Sequence, residues 1–477
     1  MQAKTKCRLV ILNMCIVVMM GCSSDNDSPQ STPALNWAEC DDNAQIECAT
    51  LDVPRDYQQP EAESIQLALR RKVAPTETRK GTLLVHLGGE GAAAIDVDNL
   101  AFDSSAPNVL LEQFDLVAFD PRGTGDSIPI DCEAFALNDI NYYPATEDDI
   151  RKFGADRGQF ASDCFDKYGS DLQFIGSQAS VHDMEQIRQA LGDEKINFFG
   201  VSWGTRMGAL YLQTYPEHSG AFVLDASLSP NSSLRQMAVN QLTQIQRNLR
   251  TLFSDCIVID PECNPTELVA TAESRIETLV AENAGREFEL FYGVLSLSAQ
   301  TLDISSLTLG PLVNYLQVRD LETLEAPLGE LYDEFNDFAP LTAAELAVIC
   351  ADDAARPNVD LLINELAEFN QISNIFAESA IADTAAICIG WPEAINPLPP
   401  ITTSVAPQAL VIGGTTDPFT TIQESREMAA AIGGYFIESA HLGHGIVYVD
   451  DNQCVDSVAT DFLLTGMLPT MTECLDP

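Results

Sequence analysis

The stretch that decides the fold is Lys195-Ile196-Asn197-Phe198-Phe199-Gly200-Val201-Ser202-Trp203-Gly204-Thr205. Its first half is an apolar run with aromatic and β-branched residues, which predicts a short buried strand. The second half contains G-x-S-x-G, whose two glycines leave room for a sharp turn that exposes the serine oxygen. The string alone is a weak signal, but helical spacing follows it as far as Pro216. We therefore predict a strand, a turn with Ser202 at its tip, and a helix.

Apolar runs of the same kind recur on both sides of this unit. They are Thr82–Leu87, Leu116–Asp120, Ala221–Asp225, Ala409–Gly414 and Tyr435–Ile437. Helical stretches separate them, and Gln178–Leu191 ends at Gly192 as a helix capped by glycine would. Strands that alternate with helices indicate an α/β fold with a mostly parallel central sheet and helices on both faces. The alternating pattern of Ser64–Val73 predicts an antiparallel strand near a sheet edge.

A change of pattern between the strands predicts an inserted domain. Leu234, Ala238 and Leu242 begin a long series of apolar residues at helical spacing, without strand runs of the core type. We interpret this region as a helical cap. The predicted organisation is a signal peptide at 1–21, a flexible tether at 22–36, the first part of the core at 37–230, the cap at 231–400 and the second part of the core at 401–477.

The N-terminus has the pattern of an export signal. Three basic residues precede the apolar run Leu9–Met20, which ends in Met19-Met20-Gly21-Cys22. This ending resembles a bacterial lipobox, in which the chain is cut before Cys22 and that cysteine carries the lipid. We predict an exported chain that is lipid-anchored to the bacterial cell envelope, at the outer membrane or the periplasmic face. An ordinary secretory signal and an uncleaved anchor helix are the alternatives.

The chain is strongly acidic. It has 25 Lys and Arg residues against 71 Asp and Glu residues, for a formal net charge of −46. Removal of the predicted signal takes away three basic residues and no acidic ones, which makes the charge −49. Such a surface repels nucleic acid and anionic lipid headgroups, so neither is predicted as a partner. The charge favours solubility, including in a salty medium that screens self-repulsion.

Ten of the thirteen cysteines follow Cys22, and an even number in an exported chain favours disulfides. They occur as neighbours along the chain, although the sequence does not prove a connectivity. The predicted pairs are Cys40–Cys48, Cys132–Cys164, Cys256–Cys263, Cys350–Cys388 and Cys454–Cys474. The sequence has neither C-x-x-C nor H-E-x-x-H spacing, so no metal site and no cofactor are predicted.

The strand ends carry the groups that acyl transfer requires. That chemistry needs a nucleophile, a base, an acid that orients the base, and N–H donors for an oxyanion. In a parallel sheet these groups lie at the carboxyl ends of strands. Ser202, Asp417 and His444 follow three predicted strands in the order Ser, Asp, His. Asp225 is an alternative acid, and His441 is an alternative base.

Together these stretches resemble the secreted tripeptidyl-aminopeptidase-like branch of the proline iminopeptidase family, serine exopeptidases with the α/β-hydrolase fold. The resemblance extends from about Trp37 to Cys474. It rests on Cys48–Pro54, Asp120–Gly125, Arg188–Gly192, Gly200–Thr205, Leu224-Asp225 and Gly443–Gly445.

The resemblance implies a role for each site residue. Ser202 would be the nucleophile, Asp417 the orienting acid and His444 the base. The oxyanion would accept hydrogen bonds from the backbone N–H groups of Trp203 and Gly89. The sequence departs from the family at Gly88-Gly89-Glu90-Gly91, where the third residue is usually proline, and at Trp203, where tyrosine is common.

The expected function is therefore a serine exopeptidase that releases short peptides or single residues from the N-terminus of peptides through an acyl-enzyme. Short peptides are the expected partners, and Glu90 is a candidate for binding their ammonium group. Two alternatives stay open. One is an esterase or lipase with the same triad, and the other is a non-catalytic envelope lipoprotein that retains the fold.

Overall fold

The described part of the chain is organised around one central sheet. The structure, a computed structural model, describes residues 35–89, 94–103, 105–132, 144, 146–254, 264, 274, 343–373, 376–402, 409–440, 443–449 and 452–475. The strands are β1 (Ala38–Glu39), β2 (Glu47–Pro54), β3 (Ser64–Lys72), β4 (Gly81–His86), β5 (Phe114–Phe119), β6 (Ile196–Val201), β7 (Ser219–Asp225), β8 (Ala409–Gly414), β9 (Tyr435–Ser439) and β10 (Glu473–Cys474).

The strand order is β1-β2-β3-β5-β4-β6-β7-β8-β9-β10. The first strands form an antiparallel edge, because β1 pairs with β2, β2 with β3, and β3 with β5 in opposite directions. Every other pair is parallel. The predicted α/β fold with a mostly parallel central sheet is confirmed. Its central strands β6, β7 and β8 are neighbours, so their carboxyl ends lie side by side.

Helices connect these strands. They are α1 (Asp96–Asp98), α2 (Asn108–Leu111), α3 (Glu147–Tyr168), α4 (Ser177–Leu191), α5 (Trp203–Thr214), α6 (Leu234–Ser254), α7 (Ala343–Asp352), α8 (Val359–Ile372), α9 (Ala377–Ala380), α10 (Ile422–Ile432) and α11 (Gln453–Thr465). Short 3-10 segments occupy Gly169–Gln173 and Pro216–His218, and π-helical segments occupy Asn99–Asp103 and Ile381–Ala385. Within the described ranges, no helix is both long and apolar enough to cross a membrane.

Neighbouring side chains along a central strand pack into different cores. Phe198 joins a cluster with α4, α5 and α10, whereas Phe199 joins a second cluster with α1, α2 and α11. Leu224 and Val223 of β7 divide in the same way. Side chains alternate across a strand, so a continuous apolar run buries both faces of the sheet.

Helices α6 to α9 lie in the chain between β7 and β8. Helix α6 begins at Leu234, as the apolar spacing predicts. A third apolar cluster joins this region to the core and includes Trp203, Leu234, Ala347 and Trp391. Most of the predicted helical series between 255 and 342 lies outside the described residues, and the cap boundaries at 231 and 400 stay predictions.

Four of the five predicted cysteine pairs form disulfides in the structure. They are Cys40–Cys48, Cys132–Cys164, Cys350–Cys388 and Cys454–Cys474. The predicted pair Cys256–Cys263 lies outside the described residues. Disulfides of this number are typical of exported proteins, in agreement with the predicted export.

A buried ion pair fixes the turn that follows β5. The guanidinium of Arg122 donates two hydrogen bonds of 2.6 Å to the carboxylate of Asp183 in α4. It also donates to the carbonyl oxygens of Pro54 and Arg55 at 2.7 Å. Both charged side chains are almost fully buried. Arg122 therefore joins the end of β2 to α4 beneath the loop that carries it.

Replacing Arg122 with alanine should lower the free energy of unfolding by about 3–5 kcal/mol, because the buried carboxylate of Asp183 would lose its cation and keep only the hydrogen bond from the hydroxyl of Tyr57. Urea denaturation of the two proteins measures the difference. Arg151→Ala is the control, since the Arg151–Asp360 pair is largely exposed and should contribute little. Equal losses in the two variants would show that the buried pair adds no special stability.

Candidate active site

The predicted turn between strand and helix is present and strained. Strand β6 ends at Val201, helix α5 begins at Trp203, and Ser202 between them has φ 52° and ψ −120°. Residues other than glycine rarely adopt a positive φ, and they keep this strained backbone conformation only where the surrounding structure holds it. The N–H of Ser202 donates to the carbonyl oxygen of Asp225 at 3.0 Å, and its carbonyl accepts from Thr205 at 3.0 Å.

Two glycines allow this turn to pack against β4. A Cβ atom on Gly204 would lie 2.3 Å from the backbone oxygen of His86, a distance that no side chain could occupy. A Cβ on Gly88 would lie 3.1 Å from the Cβ of Ser202. Gly88 also has φ +120°, which favours glycine. The loop after β4 and the turn at Ser202 are thus in direct backbone contact.

The structure brings Asp417 and His444 into direct contact. The Nδ1 atom of His444 lies 2.9 Å from Oδ2 and 3.1 Å from Oδ1 of Asp417. Asp417 is fully buried, and it also accepts from the N–H groups of Phe419 and Thr420 at 2.9 Å. The hydroxyl of Thr420 donates to the same carboxylate at 2.7 Å. These donors hold the carboxylate in one orientation beside the imidazole.

The electrostatics of His444 reflect two nearby carboxylates. Burial by itself lowers the pKa of the imidazole, because it disfavours the charged form. The negative charge of Asp417, its hydrogen bond, and the charge of Asp225 favour the imidazolium, and the net result is a raised pKa. The side chain of His444 remains 23% exposed, so one edge of the ring can meet a substrate.

The loop that carries His444 lies against the turn at Ser202. A Cβ on Gly445 would be 3.5 Å from a methyl group of Val201, which directly precedes the serine. Ser202, Asp417 and His444 therefore lie at the carboxyl edge formed by β6, β8 and β9, as predicted. Asp225, the alternative acid, accepts hydrogen bonds from backbone N–H groups of this loop and not from the imidazole of His444. The alternative base His441 lies outside the described residues.

The loop after β4 lies against Ser202 through Gly88. Gly89 has φ 67°, and the N–H of Leu87 donates to the carboxylate of Asp96 at 2.7 Å. Trp203 is the first residue of α5, where backbone N–H groups have no partner within the helix. The roles of Gly89 and Trp203 as oxyanion donors stay predictions. Glu90, the departure from the family pattern, lies outside the described residues.

Sequence reasoning missed two supporting residues. The hydroxyl of Thr420 donates to Asp417 and lies 3.3 Å from Nδ1 of His444. The sequence signal that could have indicated this bond is the position of Thr420 shortly after the Asp-Pro turn. Asp96 anchors Leu87 but lies in a stretch with no motif. Over the described part of the chain, no group of three or more His, Cys, Asp or Glu side chains could hold a metal ion.

At one edge of the sheet, the strained Ser202 and the loop after β4 accompany a partly exposed histidine that is bonded to a buried aspartate, an arrangement typical of serine hydrolases. A comparison with models of protein families gives a match described as the alpha/beta hydrolase fold over residues 81–451. This range contains Ser202, Asp417 and His444. The chain belongs to the α/β-hydrolase fold family.

Known proteins are similar to the chain over much or most of its length. Serine protease Hip1 of Mycobacterium tuberculosis is 26% identical over 96% of this chain and 94% of its own. Carboxylesterase B of the same organism is 31% identical over 94% of this chain and 91% of its own. Tripeptidyl aminopeptidase of Streptomyces lividans is 32% identical over 41% of this chain and 39% of its own. The resemblance predicted from the sequence is confirmed by these relatives.

Replacing Gly204 with alanine should push α5 away from β4 and displace Ser202, because the added Cβ has no space beside His86. We expect labelling of the serine by a fluorophosphonate probe to slow by about 100-fold, the cost of an ångström-scale misplacement. The control is Gly158→Ala in α3, where an added Cβ meets no atom within 4 Å. Wild-type labelling rates in both variants would contradict the assigned constraint.

Proposed function

We propose that the chain is a serine exopeptidase that releases short peptides or single residues from the N-terminus of peptides. Ser202 acts as the nucleophile, His444 as the base and Asp417 as the orienting acid. The observation that carries this proposal is the buried carboxylate of Asp417, which lies 2.9 Å from Nδ1 of His444 at the same sheet edge as the strained Ser202.

The pairing of Nδ1 with Asp417 leaves Nε2 of His444 for the hydroxyl of Ser202. In the first half of the reaction Nε2 takes the hydroxyl proton, and the serine oxygen bonds to the scissile carbonyl carbon. The carbonyl oxygen becomes an oxyanion that accepts hydrogen bonds from the N–H groups of Gly89 and Trp203. The C–N bond then breaks, and His444 returns its proton to the departing amine.

Water completes the reaction by the same route in reverse. His444 takes a proton from water, whose oxygen bonds to the acyl carbon and displaces Ser202, which regains its proton. The product is a peptide with a new carboxyl group. Asp417 keeps its charge throughout, because its role is to orient and stabilise the imidazolium.

The peptide substrate class is supported by the relatives. Serine protease Hip1 matches nearly the whole chain, and tripeptidyl aminopeptidase matches part of it. Helices α6 to α9, inserted between β7 and β8, would narrow access and limit substrates to short or unblocked peptides. A second candidate is an esterase, because carboxylesterase B is similar at higher identity over nearly the same length.

A substrate panel separates these functions. We expect the purified chain without residues 1–21 to hydrolyse peptide anilides with a free α-amine faster than N-blocked peptides or simple esters. Ser202→Ala should lower kcat by roughly 10⁶-fold, as expected when a triad nucleophile is lost. Ser170→Ala, at an exposed serine, is the matched control.

Each other result points to a different function. Faster turnover of N-blocked peptides would exclude the exopeptidase, and preference for esters would favour the esterase. A folded wild-type protein that neither turns over substrate nor takes a fluorophosphonate label would favour the non-catalytic alternative.

The proposal includes the lipid anchor at Cys22, supported by the apolar run and the Met19-Met20-Gly21-Cys22 ending. Expression in a bacterium with radiolabelled palmitate should label the protein and place it in the membrane fraction. Cys22→Ser should abolish both results. A labelled Cys22→Ser variant, or an unlabelled wild type in the soluble exported fraction, would show that the signal is of another kind.

A further inference from the structure

Asp225, the last residue of β7, is a fully buried carboxylate that the catalytic roles above do not use. Its two ends hold two different parts of the site. Its backbone oxygen accepts from the N–H of Ser202 at 3.0 Å. Its Oδ2 atom accepts from the N–H groups of Ile446 and Val447 at 2.7 and 2.8 Å. One residue therefore connects the strained turn with the loop that carries His444.

The second oxygen of this carboxylate makes the arrangement costly. Within the described ranges, Oδ1 of Asp225 has no hydrogen-bond partner. A buried carboxylate with one oxygen unpaired loses solvation that two backbone N–H groups restore only in part. Burial, together with the charge of Asp417, accordingly raises the pKa of Asp225 to about 6, against the two backbone hydrogen bonds and His444, which lower it.

The loop does not need this charge merely to be held in place. Tyr448, which follows Val447 in this loop, donates its N–H to the carboxylate of Asp456 in α11 at 2.8 Å. The carbonyl oxygen of Tyr448 accepts from the N–H of Ser105 at 3.0 Å. A neutral acceptor at position 225 could serve Ile446 and Val447 at lower cost. Holding the loop therefore does not explain why residue 225 carries a negative charge.

We propose that Asp225 is a positioning residue that fixes His444 relative to Ser202 and whose buried negative charge stabilises the imidazolium formed during acyl transfer. This inference rests on the proposed function, because it requires His444 to act as a base. Asp417 orients the ring through Nδ1, whereas Asp225 holds the backbone two and three residues beyond His444, at Ile446 and Val447. The imidazolium then forms near two carboxylates, that of Asp225 at the end of β7 and that of Asp417 just beyond the end of β8.

The charged groups around this pair set the expected pH dependence. The charges of Asp417 and Asp225 both favour the imidazolium of His444. Burial, with a smaller contribution from the charge of Asp417, raises the pKa of Glu424 in α10. Burial raises the pKa of Asp352 in α7, and the charge of Arg206 in α5 opposes this rise. Burial also raises the pKa of Tyr448, and the charge of Asp456 in α11 adds to it. Because the base must be neutral to accept a proton, activity falls as the pH decreases through the pKa of His444.

The central experiment compares Asp225→Asn with Asp456→Asn. The asparagine at 225 can still accept from Ile446 and Val447 through its carbonyl oxygen, but it carries no charge. In a plot of fluorophosphonate labelling rate against pH, the acid limb is the side on which the rate falls as the pH decreases. In Asp225→Asn this acid limb should move to lower pH, because a charge that raises the pKa of His444 has been removed. Asp456→Asn alters a bond to the same loop without removing that charge, so its acid limb should match the wild type.

Asp225→Ala tests the positioning role with the best substrate of the panel. Loss of both hydrogen bonds should lower kcat by about 10- to 100-fold with little change in KM, since substrate binding does not involve this carboxylate. If this variant fails to fold, Asp225→Asn still tests the charge, because it retains the acceptor.

The inference is wrong if Asp225→Asn keeps the wild-type acid limb, or shifts it no more than Asp456→Asn does. Failure of the proposed function gives a different result. A folded wild-type chain that takes no fluorophosphonate label overturns that function, and this inference with it. A labelled wild type with an unshifted Asp225→Asn variant overturns the inference alone.

Discussion

The active-site geometry depends on how closely α5 approaches β4. At Gly204 the backbone of the helix lies against the carbonyl oxygen of His86, without space for even one methyl group. This contact forces the chain to reverse between the end of β6 and the start of α5, and Ser202 takes the positive φ. The turn at Ser202 also packs closely against Gly88. The position of Ser202 and that of the loop after β4 therefore both depend on close contacts at glycines.

Buried carboxylates hold the loops at the carboxyl edge of the sheet. Asp96 accepts from Leu87, Asp120 from Ala94 and Asp126, Asp225 from Ile446 and Val447, and Asp417 from Phe419 and Thr420. In each case the donors are backbone N–H groups in a segment that follows a strand. Burial disfavours the charge of these carboxylates, and the N–H donors stabilise it. In Asp96 and Asp225 the effect of burial is the larger one, so the pKa rises to about 7 and about 6, respectively. The chain thus uses its abundant acid groups inside as well as on its surface.

Local pattern was sufficient for much of the fold. The buried strands were predictable because a parallel sheet covered on both faces requires continuous apolar runs, as Phe198 and Phe199 show by entering different cores. The capping glycine at Gly192 adopts the left-handed conformation that ends α4. Cysteines close in sequence were paired correctly wherever the structure describes them. Order along the chain also singled out Ser202, Asp417 and His444, because strand ends are where side chains of this kind converge.

The sequence by itself determined the strand–turn–helix unit, the alternation that makes a parallel sheet, and the residue types at the strand ends, because these depend on neighbours within one element. Only the tertiary structure decided between Asp417 and Asp225. Both carboxylates end central strands, and spacing does not show which one faces the imidazole. The answer depends on how the loop after β9 folds back over the sheet, with Asp225 below its backbone and Asp417 beside its ring. The hydrogen bonds of Asp225 to this loop join residues more than 200 positions apart in the chain, which no local pattern records.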